Sequence, residues 1–375
     1  MDFIPVNEPL LSGNEKKYLN QCIDSGWISS EGPFVKEFEE KFSQRVGRKF
    51  GVAVCNGTAA LEASVIALDL GKGDEVIMPA FTIISCASAV IRAGAIPVLV
   101  DAEHDSWNMN ANQIKEKITS RTKAIMVVHI YGLPVDMNPI LKLAEEFNLK
   151  VIEDAAEQIG QTYYGKPCGS FGDISTFSFY PNKHITTGEG GMIVTDNEEL
   201  AERCRSLRNL CFKPGRRFIH DELGYNFRMT NLQAAVGLAQ FERLDEFVNK
   251  KREMGRIYTQ YLRNNYYCEL PLEKKNFAEN IYWVYGIVIK DELNISAEDA
   301  MKKLFDKGIG TRPFFYPMNK QPVFNKIGLF TGESFPVAEK LSARGFYIPS
   351  GLALTEEQIV RTADTINTIL NSQFQ

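Results

Sequence analysis

A lysine in a glycine-rich loop is the residue whose surroundings most favour chemistry. Lys183 follows the apolar, aromatic segment Thr176–Tyr180, which predicts a strand, and it precedes a loop containing Gly188, Gly190 and Gly191. A lysine at the mouth of a buried sheet loses hydration, so its amine can deprotonate near neutral pH and form a Schiff base. Glycines allow the backbone to approach a bulky planar group. We therefore predict that Lys183 is the reactive amine.

A carboxylate upstream of the lysine completes the chemistry. Asp154 ends the apolar segment Lys150–Asp154, which predicts a strand whose carboxyl end lies where α/β proteins place their ligands. A strand-end aspartate followed by a loop lysine is what pyridoxal 5'-phosphate (PLP) requires. The carboxylate keeps the pyridine nitrogen protonated, and the lysine carries the aldehyde. Asp154 and Lys183 together predict a PLP site.

Alternating strands and helices must position these groups, and they predict a mainly parallel sheet covered on both faces. The predicted strands are residues 50–55, 75–79, 96–101, 123–130, 150–154, 176–180 and 192–195. The first strand is followed by Asn56-Gly57-Thr58, which opens a helix. Because a helix N-terminus offers free N–H groups and the positive end of the dipole, Gly57 and Thr58 are predicted to bind the cofactor phosphate.

The pattern changes beyond about Asn265, where a strand at 281–290, a capped helix at 296–307 and a last helix at 355–370 are predicted. These elements indicate a large PLP-binding domain over residues 1–250 and a small C-terminal α/β domain over 251–375. Within the first, Ser12 to Glu15 predicts a capping box that opens a helix. A single long helix is predicted from Thr230 to about Asn264.

The composition is that of an ordinary globular protein, with 44% hydrophobic and 24% charged residues among 375. No apolar run approaches a membrane span, and the N-terminus lacks signal-peptide features. Seven cysteines without a CxxC pair favour reduced thiols in a cytoplasmic protein. Four histidines without HExxH spacing argue against a metal site, and a net charge of −5 argues against nucleic-acid binding.

Five segments spread over nearly the whole chain carry a family resemblance. They are Trp27–Ser30, Asn56–Thr58, Glu153–Glu157, Phe177–Gly191 and Gly224–Asn231. In sequence and in order they resemble the sugar aminotransferases of fold type I, the DegT/DnrJ/EryC1/StrS family. The resemblance implies an aspartate aminotransferase-like α/β fold and amino transfer from L-glutamate to C4 of a nucleotide-linked 4-keto-6-deoxyhexose. The nucleotide is expected to be GDP, and the pathway is amino-sugar or O-antigen biosynthesis.

The resemblance also implies site residues and a homodimer with shared active sites, in which Asn226 reaches the PLP phosphate of the neighbouring subunit. Ile83 stands where the family usually has an aromatic ring that stacks on the cofactor, so an aliphatic side chain would cover that ring here. The implied cofactor contacts are Gly57, Thr58, Ile83, Asp154, Glu157, Ser178, Lys183 and Asn226. The implied substrate contacts are Trp27, Ser29, His184, Arg216, His220, Tyr316 and Asn319.

Three alternatives stay open at this point. One is a related PLP dehydratase that removes the C3 hydroxyl, but such enzymes carry histidine in place of the lysine, and here His184 is adjacent to an intact Lys183. A second is amination at C3. A third is a non-catalytic regulatory protein with a PLP fold. A dinucleotide-binding fold is excluded because no GxGxxG follows the first strand.

Overall fold

A seven-stranded sheet forms the centre of the molecule in the computed structural model, which describes residues 2–213, 215 and 218–372. The strands of the described residues are β1 (Phe50–Val54), β2 (Glu75–Pro79), β3 (Ile96–Val100), β4 (Thr122–Val128), β5 (Lys150–Asp154), β6 (Thr162–Tyr163), β7 (Lys166–Pro167), β8 (Ile174–Ser178), β9 (Gly191–Thr195), β10 (Cys268–Glu269), β11 (Lys274–Lys275), β12 (Ala278–Glu279), β13 (Tyr285–Ile289), β14 (Arg312–Pro313) and β15 (Gly345–Ile348).

The order of the central strands places the site. The sheet runs β1-β9-β8-β5-β4-β2-β3, and only β9 is antiparallel to its neighbours. The carboxyl ends of β1, β5 and β8 therefore lie at one edge, together with the first residue of β9. The expected mainly parallel sheet is confirmed.

Helices cover both faces of this sheet and extend into the C-terminal part. Their bounds are α1 (Glu15–Ser25), α2 (Pro33–Arg45), α3 (Gly57–Ala67), α4 (Ile84–Arg92), α5 (Ile114–Lys117), α6 (Met137–Phe147), α7 (Glu198–Arg208), α8 (Asn231–Phe241), α9 (Leu244–Leu262), α10 (Ala297–Asp306), α11 (Pro322–Lys326), α12 (Pro336–Arg344) and α13 (Glu356–Asn371). Short 3-10 turns occupy 111–113 and 318–320. No helix formed by the described residues is long and apolar enough to cross a membrane.

Local sequence signals explain several helix starts and fail at two. Asn56 and Ser296 cap α3 and α10 through side-chain oxygens that accept backbone N–H groups. The predicted capping box at Ser12 is wrong, because α1 begins after Asn14 and has no side-chain cap bond. The single helix predicted from Thr230 is also wrong. It is two helices, α8 and α9, separated at Glu242 and Arg243.

The C-terminal region contains a second sheet, ordered β10-β13-β15-β14, with its own apolar core. Helix α9 joins the two cores, because Leu244, Phe247 and Val248 pack with the large sheet whereas Met254 onward packs with the small one. A division at residue 250 falls inside this helix. Some packing also crosses this division. Ile4, from the N-terminal side, packs in the small core, and residues between Phe314 and Leu341, from the C-terminal side, pack in the large core.

Four phenylalanines support the strand that leads to Lys183. Phe177 and Phe179, on and just after β8, pack edge-on against Phe42 of α2, with ring centroids 4.8 and 5.3 Å apart. Phe38 completes the group at 5.1 Å from Phe179. Although β8 ends at Ser178 rather than at Tyr180 as predicted, this packing and the bond from the Phe179 N–H to the Gly190 carbonyl at 2.8 Å together fix the start of the lysine loop.

Phe42→Ala is expected to lower the free energy of unfolding by about 3–5 kcal/mol, because it leaves a cavity under the lysine loop. Phe42 is fully buried, whereas the control residue Phe305 is 63% exposed. Phe305→Ala should cost less than about 1 kcal/mol. Chemical denaturation of both variants measures the difference. Equal losses would show that the aromatic group does not support the loop.

Candidate active site

The predicted lysine, aspartate and phosphate-binding residues meet in one cavity at the carboxyl edge of the central sheet. The cavity has a volume of about 510 Å³. Its lining includes the predicted site residues Gly57, Thr58, Ile83, Asp154, Glu157, Ser178 and Lys183. Strand ends account for this convergence, since Gly57 follows β1, Asp154 ends β5 and Ser178 ends β8. The sheet thus gathers residues more than a hundred positions apart in sequence.

The Lys183 amine is enclosed by a carboxyl group and an aromatic face. Its side chain is 9% exposed, and Nζ lies 3.9 Å from Oε1 of Glu157. On another side, Nζ lies 3.8 Å from the ring centroid of Trp283. Burial lowers the pKa of Lys183, and the nearby carboxyls of Glu157 and Asp154 oppose that shift. A lowered pKa favours the nucleophilic, unprotonated amine.

Asp154 is held by donors on both carboxylate oxygens. Oδ1 accepts the Ala156 N–H at 3.1 Å, and Oδ2 accepts the Cys86 thiol at 3.4 Å. Burial raises the pKa of Asp154, while these donors and Lys183 lower it. A protonated pyridine nitrogen beside Asp154 would favour the ionised form of this carboxyl further, because a nearby opposite charge stabilises a buried charge. Asp154 is thus arranged to receive a cationic ring.

The residue before Asp154 fixes the end of β5. Glu153 is fully buried, and its carboxylate accepts the N–H groups of Gly169 and Phe171 at 2.6 and 2.9 Å and the Ser175 hydroxyl at 3.0 Å. His129 donates its Nε2–H to Glu153 at 3.0 Å, because its Nδ1 accepts the Val135 N–H. His129 therefore has a structural role at the end of β5.

Glu157 is a buried carboxyl beside the reactive amine. Its Oε2 accepts the Tyr131 N–H at 2.7 Å. Burial raises the pKa of Glu157 to about 8, although Lys183 and the Tyr131 N–H lower it. Near neutral pH the group therefore holds a proton. It can donate that proton to an acceptor in the cavity, in keeping with the cofactor contact predicted for Glu157.

The opposite end of the cavity is suited to a phosphate. Helix α3 directs its N-terminus there, and the Thr58 and Ser85 hydroxyls lie 3.0 Å apart. A Cβ on Gly57 would lie 2.8 Å from Cβ of Ser178, so glycine allows these two elements to approach. Free N–H groups, the helix dipole and hydroxyl donors together form an anion site.

Polar atoms in the lining of the cavity indicate that it can hold PLP. Two buried oxygens that line it, Thr176 Oγ1 and Asn182 Oδ1, have no hydrogen-bond partner within the described chain. Buried polar atoms normally have partners, so a ligand that carries polar groups suits the space. Ile83 is 42% exposed at the cavity, where it is available to cover a planar ring.

Two predicted substrate contacts lie outside the cavity. His184 is fully buried, donates Nε2–H to the Ile281 carbonyl at 3.1 Å, and has its pKa lowered to about 3 by burial. Asn319 is also buried, and its amide donates to the Glu333 carbonyl and the Glu339 carboxylate. A substrate contact by either side chain is inconsistent with this burial. His184 is held in the core by its bond to the Ile281 carbonyl, whereas the adjacent Lys183 lines the cavity.

The other predicted contacts lie on loops away from the lining of this subunit's cavity. Trp27, Ser29, Tyr316, His220 and Asn226 are all exposed. Arg216 lies outside the described residues. The roles of these side chains therefore stay predictions.

Sequence reasoning missed the wall contributed by the C-terminal part. Trp283, Phe315 and Tyr347 line the cavity, and Cys86 bonds to Asp154. A tryptophan inside the predicted strand at 281–290 was the available signal for Trp283. No local sequence signal identified Phe315, Tyr347 or Cys86, because each lies far in sequence from the residues that it meets at the site.

Glu157→Gln should alter how the stability of the cofactor-free protein depends on pH. Because the folded pKa, about 8, exceeds the ordinary value of 4.5, the stability that Glu157 contributes is fully present below pH 4.5 and is lost as pH rises towards 8. The variant should gain on wild type by up to about 1 kcal/mol per pH unit within that window. Denaturation at several pH values measures this, with Glu189→Gln at the cavity rim as control. A difference that does not change with pH would contradict the protonated state.

Comparisons with known proteins agree with this site. The model of the DegT/DnrJ/EryC1/StrS aminotransferase family matches residues 9–367. A GDP-perosamine synthase from Escherichia coli O157:H7 is 43% identical over 367 residues, 98% of each chain. Another, from Vibrio cholerae, is 40% identical over 371 residues, covering 98% of this chain and 99% of the relative.

Solved structures agree on the fold. The aminotransferase TlmJ from Streptoalloteichus hindustanus is 28% identical, with a TM-score of 0.92 over 99% of this chain and 100% of that one. The expected fold type I is therefore confirmed, and the cofactor is PLP, which the cavity fits. The chain belongs to the DegT/DnrJ/EryC1/StrS family and is a PLP-dependent sugar aminotransferase.

Proposed function

We propose that the enzyme transfers the amino group of L-glutamate to C4 of a GDP-linked 4-keto-6-deoxyhexose, for amino-sugar and O-antigen biosynthesis. The observation that carries this proposal is the identity of 40–43% with GDP-perosamine synthases over almost the whole chain. The Lys183 and Asp154 side chains in the cavity supply the required chemistry.

The side chains of the cavity have separable tasks in this reaction. Bound PLP supplies an aldehyde and an electron-accepting ring. Asp154 would hold the ring nitrogen protonated, and the N-terminus of α3 with Thr58 and Ser178 would hold the phosphate. Nζ of Lys183 would take the proton from Cα of glutamate as a general base and deliver it to C4′ of the cofactor as a general acid. Trp283 and the other apolar walls exclude water from this transfer.

Charge balance supports a site shared between two subunits. Among the described residues that line the cavity, Lys183 is the sole cation, whereas Asp154 and Glu189 are acidic and Glu157 holds a proton near neutral pH. The cofactor phosphate and a substrate diphosphate both bring negative charge. The segment 211–223, with His220 and the sequence-predicted Arg216, can supply positive charge from a neighbouring subunit.

Exposed apolar side chains near these loops support the same homodimer. Trp27 and Ile28 are 50% and 48% exposed, and Leu223 is 90% exposed. Clustered exposed apolar residues mark interaction surfaces. We place Asn226 of one subunit at the phosphate of the other, and Trp27, Ser29 and Tyr316 along the sugar-nucleotide path. An isologous interface lends the same loop in both directions.

The dehydratase alternative finds no support in the geometry. Lys183 occupies the cavity, and the neighbouring His184 lies in the core, so no histidine takes the place of the amine among the described lining residues. A non-catalytic role would not require a desolvated amine beside two carboxyls. Amination at C3 is distinguished by the product.

Turnover with L-glutamate and a GDP-linked 4-keto-6-deoxyhexose should yield the 4-amino sugar and 2-oxoglutarate, identified by mass spectrometry and NMR. Lys183→Ala should abolish it, because both attachment and proton transfer are lost. Borohydride reduction of the holoenzyme should fix the cofactor to the peptide containing Lys183. Label on another lysine, a 3-amino product or loss of the C3 hydroxyl would each overturn the proposal. UDP- and dTDP-linked analogues serve as the nucleotide controls.

Subunit mixing tests the shared site. Lys183→Ala subunits are mixed with Asn226→Ala,His220→Ala subunits, each homodimer having little activity alone. In a mixed dimer one site carries both lesions and the other carries neither. With random exchange about half of the dimers are mixed, so roughly a quarter of wild-type activity should return. Demonstrated exchange without recovery would mean that the loop serves its own subunit.

A further inference from the structure

Trp283 belongs to the C-terminal part of the chain but reaches the reactive amine. It lies between β12 and β13, is 4% exposed and lines the cavity. The centroid of its ring is 3.8 Å from Nζ of Lys183. An aromatic face at this distance attracts an ammonium group, and more strongly where water is excluded.

Trp283 is held by hydrogen bonds at both its indole ring and its backbone. Its Nε1–H donates to the carbonyl of Asn182, the residue before the lysine, at 2.9 Å. Its own backbone carbonyl accepts Nζ of Lys251 from α9 at 2.9 Å. Lys251 is buried and also donates to the Ser350 carbonyl after β15. Trp283 is therefore tied to the lysine loop through its ring and to α9 through its backbone.

Packing restrains the ring further. It lies against Tyr131 with centroids 5.7 Å apart, and nearly parallel to Phe315 at 6.5 Å. The Tyr131 N–H in turn binds Glu157, whose other oxygen is 3.9 Å from the Lys183 amine. One connected group thus supports both surfaces that the amine contacts.

We infer that Trp283 is a positioning residue that holds the free Lys183 amine in the cavity whenever its bond to the cofactor is open. The inference rests on the proposed role of Lys183 as the lysine that carries the cofactor. Amino transfer requires the amine to leave the cofactor, move a proton and return. An amine held between the indole face and Glu157 stays within reach of the cofactor rather than rotating towards solvent.

The test follows bond formation between Lys183 and PLP in the cofactor-free, full-length enzyme, by stopped-flow absorbance at saturating PLP over a range of pH. The rate at the high-pH plateau reports positioning. The pH midpoint reports how strongly the site favours the ammonium form. The other titratable groups that face the amine are the same in every variant, so a difference between variants reports the change at position 283; these groups are Glu157, Asp154, Cys86, Lys251 and His184.

Trp283→Leu should lower the plateau rate about tenfold or more, because the amine loses its fixed position. It should also move the midpoint down, by up to about one pH unit, because the ammonium form loses the aromatic face. Trp283→Phe, which keeps a weaker aromatic face, should give a smaller shift in the same direction. Trp107→Phe is the matched control, since Trp107 is buried outside the cavity lining, and both readouts should match wild type.

A second experiment tests whether Trp283 positions the amine or only forms part of the wall against which PLP binds. In a Lys183→Ala background, Trp283→Leu should leave the affinity for PLP within about twofold. An equal loss of affinity with and without Lys183, or an unchanged rate and midpoint, would overturn the inference. If Trp283→Leu does not fold, Trp283→Phe decides, and an unchanged midpoint overturns it. Borohydride label away from Lys183 would instead reject the proposed function itself.

Discussion

The burial of one amine is the constraint on which the arrangement of this enzyme depends. Removing an ammonium group from water is costly, so the protein must either neutralise it or surround it with compensating groups. Here Lys183 has the carboxyl of Glu157 on one side and the indole face of Trp283 on another. Asp154 contributes a third, more distant interaction. Burial thus lowers the pKa of the Lys183 amine, while the two carboxyls act in the opposite direction.

The rest of the fold keeps that balance fixed. The Glu153 carboxylate accepts three hydrogen bonds that hold the end of β5 in place, and this fixes the position of the Asp154 carboxylate. The aromatic group around Phe42 supports β8, and glycine at position 57 lets α3 approach Ser178. The hydrogen-bond donors at the phosphate end of the cavity carry no formal charge, and the dipole of α3 adds only a partial positive charge there.

Sequence reasoning succeeded where the signal was local. Alternating apolar strands and helices predicted the sheet, Asn56 and Ser296 predicted helix caps, and Lys183 with Asp154 predicted the cofactor. It failed where the outcome depended on tertiary packing. His184 turned into the core, and the helix beginning near Thr230 broke at Glu242. Trp283 was missed because its partner lies about a hundred residues earlier, and no periodicity records such a contact.

The sharing of core residues across the two sheets has a consequence for synthesis on the ribosome. All seven strands of the central sheet have been made once Thr195 emerges. Part of the apolar surface beside them is nevertheless covered by Phe314, Phe324 and Phe330, which are made much later. A nascent chain therefore carries an uncovered hydrophobic surface through the synthesis of α9 and β13, the interval in which chaperones would bind it. Cofactor capture belongs to the end of this process, because the wall that encloses the lysine is among the last parts to arrive.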